Sequence, residues 1–196
     1  MRSLFVLDTE TTGLQGIRYG DKIVEVGIAR VDLDRGRVFP EFGRIVHNDL
    51  NLQEKNSWVF QHTDLTPEDV MTSPWSVEEI GHELISHYGD KVFTAYNISF
   101  DFDSFLNHDP WSFRPRLAPC IMEESAARYS PEGRWFSAQA AYDMLCPSNP
   151  ANLLDGREEH RALSDAVCEG YILLSLLEKN EEICERFVSV LEDSHD

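Results

Sequence analysis

Leu4-Phe5-Val6-Leu7-Asp8-Thr9-Glu10-Thr11-Thr12-Gly13-Leu14 is the stretch that decides how the chain is read. Four apolar residues run into a polar segment closed by glycine, the pattern of a buried strand that stops abruptly. Successive side chains on a strand point to opposite faces, so Asp8 and Glu10 project from the same one. Two neighbouring carboxylates repel and raise each other's pKa unless a cation sits between them. Hard oxygen donors of this kind suit Mg²⁺ or Mn²⁺. Solvated acids at a strand end would look the same, so the remaining acids of the chain have to decide.

Working outward, residues 15–21 contain two glycines and read as a loop. Residues 23–31 alternate as a second strand, and Asp34-Arg35-Gly36 is a turn. Residues 37–46 then return antiparallel as a third strand, with Pro40 marking an edge or a bulge. Beyond Trp58–His62, a short apolar piece, Thr66-Pro67-Glu68-Asp69 is a helix start. Ser76 and Glu79 form a capping box for an amphipathic helix over Val77–Tyr88. Lys91–Tyr96 is the fourth strand, followed by a second acidic stretch, Asn97-Ile98-Ser99-Phe100-Asp101-Phe102-Asp103, that leads into a helix through Phe105 and Leu106. Further helices are predicted over 121–129, 137–146 and 161–178, with helical spacing continuing through Ile183, Phe187, Val190 and Leu191. Early meandering strands followed by strand–helix alternation predict an α/β fold with a mixed sheet. Ligands in such sheets gather at strand ends, where Asp8, Glu10 and Asp101 lie.

The 196 residues are 42% hydrophobic and 27% charged, and predict a single globular domain with a core over about 4–178 and an acidic amphipathic helix over about 179–193. No run approaches the roughly 18 apolar residues of a membrane helix. Four cysteines without a Cys-x-x-Cys pair suggest reduced thiols in a cytoplasmic protein. A net charge of −18 argues against a long-range electrostatic grip on nucleic acid. The segment 110–161 is the exception, with six Arg against seven acids, and is where local phosphate contacts are expected.

His160-Arg161-Ala162-Leu163-Ser164-Asp165 completes the set. On one continuous helix His160 and Asp165 would stand about 140° apart, so both reach one site only if His160 sits at the helix entrance. Asp165 lies on an otherwise apolar helix, and an acid facing a core needs a partner or a metal.

The three motifs, in this order and over residues 4 to about 178, strongly resemble the DEDDh 3′→5′ exonucleases. That branch of the RNase H-like fold includes polymerase proofreading subunits. The resemblance implies two ions, Mg²⁺ or Mn²⁺, with Asp8 bridging them, Glu10 and Asp165 completing one site, and Asp101 supporting the other. It implies His160 as the general base. It also implies that Thr11, Thr12 and Gly13 grip the 3′ nucleotide, that Leu14 is a wedge against the last base, and that Asn97 and Phe100 line the same pocket. His62 is assigned to 3′-terminal binding, although Asp64 stands where relatives carry a glycine. The function implied is release of nucleoside monophosphates from single-stranded DNA or RNA 3′ ends, with DNA favoured, and a polymerase or another replication or repair protein as partner. The alternative is a non-catalytic exonuclease-like module that docks a polymerase or helicase through the C-terminal stretch around Phe187 and Leu191.

Overall fold

A computed structural model describes residues 2–192. Its mixed sheet has the order β3-β2-β1-β4-β5. β1 (Ser3–Thr11) pairs antiparallel with β2 (Ile23–Asp32), which pairs antiparallel with β3 (Arg37–Ile45). β4 (Val92–Thr94) lies parallel to β1, and the two-residue β5 (Arg116–Leu117) parallel to β4. β1 is therefore central and covered on both faces, which is why its first half is continuously apolar. Leu4 and Val6 enter one core cluster with Ile172 and Leu173, while Phe5 and Leu7 enter another with Ile80, Leu84, Phe93 and Phe102. β3 is an edge strand, and its register steps from Phe42 to Pro40 opposite Ile28 and Ala29, so Pro40 adjoins a bulge where no ladder donor is needed.

The helices are α1 (Trp58–His62), α2 (Pro67–Thr72), α3 (Val77–Tyr88), a π-helix (Ser99–Leu106), α4 (Ile121–Tyr129), α5 (Ala138–Leu145), α6 (Ala162–Lys179) and α7 (Glu181–Glu192). The caps explain the starts. Thr66 with Asp69 and Ser76 with Glu79 make reciprocal capping boxes for α2 and α3, and the Ser137 hydroxyl accepts from the Ala140 amide at the head of α5.

α6 crosses the face of β1, β2 and β3 to which Asp8 belongs. It can lie that close because Gly27, directly opposite Asp8 in the ladder, has no side chain: a Cβ there would come within 2.1 Å of the Ala162 backbone. Gly170 gives the same relief against Val38.

The second acidic stretch was expected to precede a helix, but Asp101 lies within the first turn of the π-helix, because Asn97 already accepts the Phe100 and Asp101 amides through its carbonyl. The apolar face around Phe187 and Leu191 does not offer a docking surface: Ile183 and Phe187 are buried in the core beside α6, and Val190 and Leu191 pack against the same cluster. Residue 193, to which that helix was expected to run, and the ends of the expected 1–196 domain lie outside the described residues. No helix among the described residues is long and apolar enough to cross a membrane.

Candidate functional site

The site forms where β1 ends. Asp8 and Glu10 emerge half-buried on the α6 side of the sheet, separated by the buried Thr9. The first turn of α6 brings in Asp165, 4% exposed, and the π-helix brings in Asp101, 3% exposed. Asp101 is held in place by β1 itself, because its Oδ1 accepts from the Thr9 amide at 3.1 Å and the Thr9 hydroxyl at 2.7 Å. One donor atom each from Glu10, His160 and Asp165 lie within 4.8 Å of one another.

The electrostatics are those of crowded acids. Burial, then the charges of Glu169, Asp101, Glu10 and Asp165, push the Asp8 carboxyl far above its ordinary range. Burial and Asp165 push Glu10 up to about 9. Burial with Glu158 and Glu159 pushes Asp165 up to about 8. Burial pushes Asp101 up to about 7, against the two hydrogen bonds from Thr9. The Oδ1 of Asp165 is buried with no hydrogen-bond partner. An orphaned carboxylate oxygen beside Glu10, in a cluster of mutually repelling acids, is a donor set that fits a hard divalent cation, which would relieve both the repulsion and the missing bond.

His160 stands two residues before α6, on a left-handed backbone with φ of 52°. That turn lets it approach Asp165, Nδ1 to Oδ2 3.9 Å, despite their separation along the chain. Burial and the nearby His62 lower its pKa, so the ring is neutral at neutral pH. Between the two, Arg161 fastens the helix entrance. Its guanidinium makes paired bonds of 2.9 and 2.7 Å to the buried Glu25 and one of 2.7 Å to Asp64. Glu25 also accepts from the Ala162 amide, 3.1 Å, replacing the capping side chain that α6 lacks. Asp64, the departure from the resemblance, thus finds its partner in Arg161.

The loop after β1 folds back on itself. The Thr11 hydroxyl donates to the Gly13 carbonyl at 2.7 Å, and the Thr12 hydroxyl accepts from the Lys22 amide at 2.9 Å. A Cβ on Gly13 would meet the Asp21 carboxylate at 2.3 Å, and that carboxylate accepts from the Gln15 and Gly16 amides. Leu14 is left 84% exposed at the tip, so it is not a core residue. Asn97 is spent locally in starting the π-helix, and Phe100 packs half-buried against Phe105, ring centroids 5.2 Å apart. His62 is exposed and stacks on Trp58, which in turn meets His160 edge-on.

Several residues escaped the sequence reading. Glu169, one turn beyond Asp165 on the same helix face and 3% exposed, accepts from the Tyr96 amide at 3.2 Å. The i, i+4 spacing was the available signal. Glu25, Arg161 and Trp58 carried none, because their partners lie far away in sequence. The arginines of 110–161 do not converge: Arg114 bonds the Asn107 carbonyl, Arg116 that of Val190, Arg128 the Asn180 side chain and Arg134 the Glu132 carboxylate.

A family model described as an exonuclease, RNase_T, matches residues 5–173, and the chain belongs to that family. A PolC-type DNA polymerase III of Staphylococcus epidermidis is 28% identical over 185 residues, covering 91% of the chain. The chain spans only 12% of that polymerase's length. Exonuclease X, solved with 5′-overhanging duplex DNA, matches with 26% identity and a TM-score of 0.64 over 96% of this chain and 99% of that one. The nuclease domain of a 3′-exonuclease described as a DEDDh family member, bound to rAMP, matches in fold with 14% identity and a TM-score of 0.68, over 91% and 92% of the two chains.

Proposed function

We propose that the chain is a divalent-metal-dependent 3′→5′ exonuclease of the DEDDh type that releases nucleoside monophosphates from single-stranded 3′ ends, with DNA favoured over RNA. The observation that carries the reading is the grouping of Glu10, Asp165 and His160 donor atoms within 4.8 Å, with the charges of Asp101, Glu10 and Asp165 all felt by the neighbouring Asp8 and a buried Asp165 oxygen that no donor satisfies. Asp8, Glu10, Asp101 and Asp165 would hold the divalent ions, Mg²⁺ or Mn²⁺. Such ions supply charge stabilisation to an in-line displacement at phosphorus.

The chain's own side chains do the rest. His160 accepts the proton of the attacking water at its ring, for which its lowered pKa leaves it ready at neutral pH. Thr9 fixes Asp101, and the Glu25–Arg161–Asp64 clamp fixes the segment that carries both His160 and Asp165. The closed loop of Thr11, Thr12 and Gly13 would cradle the 3′ nucleotide, with Leu14 wedged against its base and Asn97, Phe100 and His62 around it. The relatives named as DNA polymerases support DNA, and a polymerase or repair protein as partner. Four free thiols, three of them buried, suit a cytoplasmic setting.

The test is release of mononucleotides from 3′-labelled single-stranded DNA. Wild type should release them with Mg²⁺ or Mn²⁺ and stop with EDTA. Asp8→Ala and Asp165→Ala should lose release while remaining folded by circular dichroism. Undiminished release by folded Asp165→Ala would refute the assignment.

A further inference from the structure

We infer that Trp58 is a positioning residue for His160, holding the imidazole over the carboxylates in the orientation in which it takes up a proton. The inference rests on the proposed role of His160 as base.

His160 is poorly restrained by its own segment. It sits on a left-handed, half-exposed stretch, and no hydrogen bond reaches either ring nitrogen among the described residues. The 3.9 Å separation from Asp165 is too long for one. A general base has to be within about 3 Å of the proton it takes, so a ring free to turn about two side-chain torsions would spend most of its time misdirected.

Trp58 supplies the missing restraint. Its indole meets the imidazole edge-to-face, centroids 5.0 Å apart and planes at 84°. This is a favoured aromatic geometry. The indole is itself fixed, stacked on His62 at 4.5 Å and 9° one helical turn along α1. The His62 Nδ1 lies 2.9 Å from the Trp58 carbonyl, and Val59 roots the turn in the core. Packing alone does not account for Trp58, which remains 53% exposed.

Trp58 could instead stack on a substrate base, and a double-mutant cycle separates the two. Single-turnover release from a short single-stranded DNA is measured with Mg²⁺ at saturating and limiting enzyme. Trp58→Ala should slow the rate constant about tenfold, below the roughly hundredfold cost of a 1 Å misplacement. Its half-saturating concentration should stay within about twofold, and Trp58→Phe should restore most of the rate. In a His160→Ala background Trp58→Ala should cost nothing more, because there is no ring left to orient. A full additional loss in that background, or weaker binding at an unchanged rate constant, would overturn the inference and make Trp58 a base platform. A slow His160→Ala beside an unaffected Trp58→Ala overturns the inference alone, whereas a His160→Ala as fast as wild type removes the base assignment as well. Thermal midpoints matching wild type would exclude misfolding as the cause.

Discussion

Asp165 shows what a single buried carboxyl does to the whole protein. Without a cation it stays protonated in the folded state up to about 8, while in the unfolded chain it ionises near its ordinary 3.8. The folded form then binds more protons across that interval, so stability falls as pH rises through it. Asp101, pushed to about 7, and Glu10, pushed to about 9, act with the same sign. The thermal midpoint of the metal-free protein should therefore drop by several degrees between pH 5 and 9, at roughly 2–4 °C per kcal/mol in a chain of this size. Mg²⁺ should recover most of the loss at pH 9, and Asp165→Asn should flatten the slope and weaken the recovery. Calorimetry across the pH range checks this, and a midpoint rising with pH would contradict it. The five candidate catalytic residues were legible in the sequence only through the joint order of three short motifs and the family resemblance that order carries. Glu25 and Trp58 were not, because their roles depend on Arg161, 136 residues away from Glu25, and on His160, contacts that only the folded chain makes.

Among the elements, β1, β2 and α6 determine the site together. The close crossing of α6 over β2 at Gly27 places Asp165 beside Asp8. Gly27→Ala would force the first turn of α6 outward, since a Cβ at 2.1 Å from backbone cannot be absorbed by a side-chain rotation. The expected result is a loss of about 2–3 kcal/mol in denaturant unfolding, typical of overpacking, together with a fall of at least about tenfold in nucleotide release. An unaltered rate would show that α6 does not set the site. Helices with sequence caps, Val77–Tyr88 above all, were readable to the residue. β5 was not, because two residues, Arg116 and Leu117, lying between Pro115 and Pro119 carry no periodicity. The π-helix was not either, because the apolar spacing of Phe102, Phe105 and Leu106 does not distinguish its wider turn from an α-helical one.

At the scale of the molecule, the charge of −18 was informative about what the protein lacks. The arginine-bearing segment that the sequence offered as a phosphate grip is spread over the surface and largely bonded to its own chain. Such a surface suits a short footprint at the 3′ end, with the substrate let go between cuts or presented by a partner. The measurement that bears most directly on the account is digestion of 5′-labelled single-stranded DNA with Mg²⁺, sampled through time on a sequencing gel. The expected result is a descending ladder in single-nucleotide steps, with intermediate lengths all populated and mononucleotides as the product. Internal fragments, or full-length DNA persisting beside folded, metal-supplied protein, would contradict it.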